Sequence, residues 1–230
     1  MTECPFTITF IDPNRKGHQR TKDDSECAAR RSRWQRSPFE PWGNFNTYDT
    51  MDLSYQVNPP ESWTEMTRYG RFDLGGEKYS LGNFVYVAND RSIAQQKVTD
   101  RDDWVAYILE IRASDADHVY ARIYWMYRPN ELPPGTYDGT RIARGRQSYH
   151  GTDELIASNH MDIIDVFTIT SKATVEQWDE GSEEIKRNLY WRQAYDVRTR
   201  ELSVQTRPSL RTTCGATPRR TRTGRSLDVA

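Results

Sequence analysis

The middle of the chain carries the pattern of strands. LGNFVYVAN (Leu81 to Asn89), DWVAYILEIRA (Asp103 to Ala113) and DHVYARIYWMY (Asp117 to Tyr127) are rich in β-branched and aromatic residues, and DRDD, ASDAD and RPNELPPG turn sequences bound them. Together they predict an antiparallel sheet core. Strand alternation puts Val105, Tyr107, Leu109 and Ile111 on one face, the one expected to be buried, and leaves Trp104 with Ala106 on the other. In the next strand Trp125 and Tyr127 share a face, opposite Tyr124 and Met126, so two large aromatics project side by side. Downstream, GTDELIAS predicts a short helix, while MDIIDVFTI (Met161 to Ile169) and NLYWRQAYD (Asn188 to Asp196) predict further strands, with helix or loop around Glu176 to Lys186.

Outside this centre the periodicity fades. Ser37 to Pro60 is rich in Pro, Asn and aromatic residues and predicts extended chain lying on the domain. The expected organisation is a basic, disordered N-terminal segment over 1–40, a lead-in packed on the domain over 41–78, the domain itself over 79–205, and an Arg-rich flexible tail over 206–230. Arg15 to Arg36 holds eight Lys or Arg in groups separated by DDSE, resembling a bipartite nuclear import signal; an ordinary solvated charged segment has the same look. Arg207 to Arg225 contains six arginines and no acid. There is no internal repeat.

Composition agrees with a folded centre and polar flanks: 230 residues, 36% hydrophobic, 28% charged, net charge −1, and mean hydropathy −0.89. Cys4, Cys27 and Cys214 lie far apart and outside the aromatic centre, so they assemble neither a disulfide framework nor a zinc finger, and a reducing compartment fits. No apolar stretch approaches a membrane span and the N-terminus lacks a signal-peptide pattern, so the expectation is a soluble intracellular protein with no membrane partner. Enzyme motifs are missing too: no Gly-rich phosphate loop, no GxSxG, no HExxH, and four histidines in unrelated settings. The expectation is no catalytic residue, no metal and no cofactor.

VYARIYWMYRP (Val119 to Pro129), followed by GRQSYHGTDELIASNHMD (Gly145 to Asp162), resembles the bromo-adjacent homology (BAH) domain, in particular its members that read methylated lysine on histone tails. The resemblance runs from about Leu81 to Tyr195. It implies a mainly β fold, an irregular antiparallel, barrel-like domain with short helices and flexible tails. It also implies an aromatic cage of Trp104, Trp125 and Tyr127, with Trp104 standing where such domains usually carry Tyr. A trimethylated lysine keeps its charge but loses every N–H donor, so aromatic faces suit it, at roughly 0.5–2 kcal/mol per ring. Aromatics at alternating strand positions also serve core packing, but Trp104 lies on the face that this strand's core does not need. His160 and Asp162 match positions that contact the histone peptide beside the modified lysine; a hydrogen-bonded pair closing a loop is the other reading of these two residues. His150, in SYHG, reads as a structural turn residue.

The resemblance therefore implies a nuclear chromatin reader that binds trimethyl-lysine on a histone tail. The mark it points to is the Polycomb-type repressive one, trimethyl-lysine twenty-seven of histone H3, with a role in gene silencing. Expected partners are the histone tail, the nucleosome, subunits of a silencing complex, and DNA in weak contact with the basic tails. Two other classes stay open: a nucleosome- or DNA-binding BAH module with structural aromatics, and a protein-interaction scaffold. Many such proteins continue into a zinc-binding PHD finger, and Cys214 stands about where its first ligand would fall, without the remaining ligands.

Overall fold

A computed structural model describes residues 4–11, 33–41, 43–48, 50–89, 103–178, 188–203 and 226–229. The order is β1 (Thr7–Ile11), β2 (Arg33–Gln35), β3 (Leu53–Asn58), a six-residue helix α1 (Pro60–Glu65), β4 (Thr67–Tyr69), β5 (Arg71–Leu74), β6 (Glu77–Ser80) and β7 (Phe84–Val87). The long hairpin β8 (Trp104–Ala113) and β9 (Val119–Met126) follows, then a 3-10 turn Pro129–Glu131, β10 (Tyr137–Asp138) and β11 (Arg141–Ile142). Next come β12 (Glu154–Ser158), β13 (Met161–Asp165), a 3-10 turn Val166–Thr168, β14 (Ile169–Ala173) and β15 (Val175–Gln177). The chain closes with β16 (Leu189–Asp196), β17 (Glu201–Leu202) and β18 (Ser226–Val229).

The protein is mainly β, with few helices and sheets that stay open. One sheet, β13-β9-β8-β7-β14 with β4 on β8, is antiparallel throughout. The other large one, β11-β10-β17-β16-β12 with β15 on β16, mixes directions, because β12 and β15 run parallel to β16 and β10 runs parallel to β17. The expected helix or loop near Glu176 begins instead as β15, and most of that stretch lies outside the described residues, as do the import-like basic run up to Arg31 and the arginines of the C-terminal tail.

The hairpin β8–β9 is buried on both faces. Tyr120, Tyr124 and Met126 pack with Val105, Trp63, Tyr55 and Trp191 in one core, whereas Val119, Ala121 and Ile123 pack with Ala106, Ile108, Phe72 and Val166 in a second. A bulge between Ile108 and Glu110 shifts the pairing register of β8 and sends Ile111 into the second core, not onto the Val105 face where strict alternation had placed it. Ala106 likewise faces the second core and not solvent, while Trp104, at the strand's start, is 44% exposed.

GTDELIAS forms strand β12 in place of the expected helix. Leu155 and Ala157 enter the first core and Ile156 enters a third, small cluster with Tyr195 and Leu202, so this short run satisfies a period of two in tertiary context. Burial of all five residues overrides a weak local helix preference.

The N-terminal stretch differs from a disordered segment as well. Residues Thr7–Ile11 pair with β3, and Phe6 and Phe39 are buried in the first core. Two buried arginines pin this layer to the hairpin. Arg112 donates to the carbonyls of Trp63 (3.2 Å) and Met66 (3.0 Å), and Arg122 donates to the Gln35 side chain (3.1 Å). Both converge on Glu110, at 2.8 and 2.9 Å. Burial alone would raise that carboxyl, but the guanidiniums of Arg122, Arg112 and Arg68 together hold it below the ordinary carboxylate range.

Candidate functional site

At the open end of the hairpin, Ala106 pairs with Trp125 and Val87 with Trp104, which brings the two indoles to the same edge. Their ring centroids lie 5.5 Å apart at 74°, so one ring meets the other edge-on. Tyr127, just past β9, is fixed by a bridge to Ile156 and by the Tyr195 ring at 5.6 Å and 80°. These rings, with Met126, Glu131, His160 and Asp162, line a pocket of about 340 Å³, inside the range of roughly 300–1,000 Å³ typical of small-ligand sites. All five residues that the sequence singles out, Trp104, Trp125, Tyr127, His160 and Asp162, are thus brought to one cavity.

His160 and Asp162 do not bond to each other; each holds a ring. Asp162 Oδ2 accepts from Trp125 Nε1 at 3.2 Å, and Oδ1 accepts from the Ile163 amide at 2.8 Å. His160 Nδ1 and the Tyr127 hydroxyl are 2.5 Å apart, with the rings within 7° of coplanar and centroids 6.0 Å apart, an edge-to-tip arrangement and not a face-to-face stack. The backbone locks the pair in place. Trp125 N donates to the His160 carbonyl (3.0 Å), while Ser158 Oγ accepts from His160 N (3.1 Å) and donates to the Trp125 carbonyl (2.6 Å). Burial pushes the His160 imidazole down against the opposing pull of Asp162, and burial pushes the Tyr127 phenol up, so both are neutral near pH 7.

Two lining residues escaped sequence reasoning, Met126, which alternation had placed on the opposite face, and the acidic Glu131. The 3-10 turn Pro129–Glu131 carries it in, and its Oε2 accepts from the Arg128 amide at 3.0 Å. The signal was present in the RPNE wording, a Pro opening a turn with an acid in its first turn. His150 lies elsewhere: the Gln147 amide donates to its Nδ1 at 3.0 Å and its Nε2 meets Gln193 at 3.2 Å, a buried turn.

Three aromatic rings, two carboxylates and a neutral imidazole make a wall suited to a weakly hydrated cation. Among the described residues no group of three or more His, Cys, Asp or Glu could hold a metal ion, and no helix is long and apolar enough to cross a membrane.

The BAH domain family model matches residues 77–202, more than half of the chain, and the chain belongs to that family. It is also similar to the chromatin remodeling protein EBS of Arabidopsis thaliana, 28% identical over 106 residues, which is 46% of this chain and 41% of that protein. The chain thus spans less than half the length of this curated relative. Among solved structures, the yeast Rsc2 BAH domain matches with 14% identity and a TM-score of 0.38, covering 55% of this chain and 49% of that one.

Proposed function

We propose that the protein is a nuclear chromatin reader whose pocket of Trp104, Trp125 and Tyr127 takes a trimethylated lysine from a histone tail. The observation that carries this reading is the convergence of the three rings on one cavity, two of them anchored by His160 and Asp162. Anchoring matters because a ring held in place binds a cation without the entropy cost of ordering it. Glu131 adds negative charge to the wall, complementary to a methylammonium. Membership of the BAH family and the name of the Arabidopsis relative, a chromatin remodeling protein, support the setting. Binding, not catalysis, suits the pocket, whose histidine and aspartate are engaged with its own rings. The Polycomb-type mark, trimethyl-lysine twenty-seven of histone H3, and a part in gene silencing follow from the family resemblance; His160 and Asp162 stand at the pocket wall, where a peptide flanking the lysine would pass.

Calorimetric titration with trimethylated and unmethylated histone peptides tests this. The trimethyl peptide should bind, the unmethylated one should not, and Trp125→Ala should weaken binding at least tenfold, about 1.4 kcal/mol, with the domain still folded. Equal binding of both peptides would remove the cage.

A further inference from the structure

From Gly139 to Thr152 the sequence GTRIARGRQSYHGT holds three arginines and no acid. The fold makes this the edge of the mixed sheet, where β11 pairs β10, and β17 runs along the other side of β10. Tyr137 N donates to the Arg200 carbonyl at 2.7 Å, so a fourth arginine, remote in sequence, stands just before β17 on the other side of β10, at the same end of the sheet. Its Nη1 lies back over the turn before β10, 3.8 Å from where a Cβ on Gly135 would stand. Arg141, Arg144 and Arg200 are all exposed, and among the described residues no carboxylate lies within ion-pair distance of any of them. Their neighbours are committed otherwise: Arg146 donates to the Gly151 and Thr152 carbonyls, Arg192 pairs with Glu154 and Arg198 with Asp196. The one acid of the hairpin, Asp138, accepts from the Tyr149 hydroxyl.

We propose that the end of the mixed sheet carrying Arg141, Arg144 and Arg200 contacts the phosphates of duplex nucleic acid beside the aromatic pocket. Guanidiniums offer forked donors that match phosphate oxygens, and three exposed ones spread over separate elements suit an extended polyanion better than a single small anion. The edge adjoins the pocket: a Cβ on Gly145, between Arg144 and Arg146, would stand 3.8 Å from Asn130 Cα, and the residue after Asn130 is Glu131 of the pocket wall. This moves the DNA contact from the basic tails, where the sequence had suggested it, onto the folded domain. That a tail lysine and a duplex are held together rests on the proposed reading of the pocket; the phosphate contact does not.

The test is fluorescence anisotropy of the full chain on a labelled duplex across a salt series, with R141A/R144A/R200A compared to wild type and trimethyl-peptide titration run alongside. Removing three phosphate contacts should lower the log–log salt slope by about 2.7, roughly 0.9 per contact, and weaken binding at low salt by about tenfold or more. The corresponding triple Arg→Lys variant should keep most of the slope. Peptide affinity should not change, so loss of peptide binding by wild type with the duplex effect intact would sink only the pocket reading. An unchanged slope in R141A/R144A/R200A would overturn the proposal and leave the contact to the tails. Loss of nucleosome binding with duplex binding intact would overturn it too, because the arginines would then face an acidic protein surface.

Discussion

The middle and the open end of the β8–β9 hairpin use the same chemistry, cation against aromatic ring, in opposite ways. In the middle the cations belong to the protein: Arg122 sits 4.6 Å from the Tyr55 ring centroid and Arg112 5.3 Å from that of Trp63, with Glu110 buried between the guanidiniums. At the open end Trp104, Trp125 and Tyr127 surround a cavity, and among the described residues no Lys or Arg lies over these rings. A satisfied buried network fixes a fold, whereas rings anchored from behind with an open face can receive a ligand. The difference lies in who supplies the charge.

Breaking the middle should have the largest effect. Glu110→Ala leaves two buried arginines without their shared carboxylate and should destabilise the domain by about 3–5 kcal/mol, read by chemical denaturation. The pH dependence has a definite sign. Because the Glu110 carboxyl is held below its ordinary range when folded, its contribution is present above about pH 4.3, the unfolded value, and is lost as pH falls through the folded one. Acid unfolding of Glu110→Gln should therefore start from a lower stability and fall less steeply. A wild-type stability in either variant would mean that the cluster is only tolerated.

Breaking the open end should cost binding before stability. Trp104→Ala should weaken the trimethyl peptide by about tenfold while Trp104→Tyr retains it, since a smaller ring still offers a face. Unchanged affinity in Trp104→Ala would demote this exposed indole to packing. His160→Ala with Asp162→Ala frees two rings at once, so affinity should fall for every trimethyl peptide. If the pair also reads sequence beside the lysine, the advantage of the Polycomb-site peptide over two unrelated trimethyl peptides should narrow. An unchanged ratio would leave them a positioning role alone.

The smallest effect expected is on pH. Burial keeps the His160 imidazole neutral at pH 7 and holds its folded pKa below the unfolded one, so protonation comes only as pH falls through that lowered value and then places a cation on the pocket wall. Peptide affinity should hold through neutral pH and fall only below the ordinary imidazole range, and His160→Gln should flatten that acid limb. A wild-type slope in that variant would assign the titration to another group.

Much of the pocket was legible because strand alternation is local. Trp125 and Tyr127, two residues apart, share a face by that rule, whereas His160 and Asp162 came from the family resemblance. That rule fails wherever a bulge intervenes, as at Ile111, or where burial outweighs a weak helix preference, as at Leu155 to Ala157. Nor could it show that His160 and Asp162 each grip a different ring, since the partners lie more than thirty positions away.

The sequence by itself determined the central strands β7, β8, β9, β13 and β16, which aromatics fall side by side and to which family the residues point, because these depend on spacing within a few residues. Only the tertiary structure decided what those strands pack against: that Phe6 and Tyr55, residues ahead of the family match, complete the first core, that Glu131 enters the pocket wall, and that Arg200 comes to the end of the mixed sheet that carries Arg141. Such meetings are set by long-range contacts that close large loops, and their energy comes from burial and charge pairing in the assembled fold, which no local pattern records.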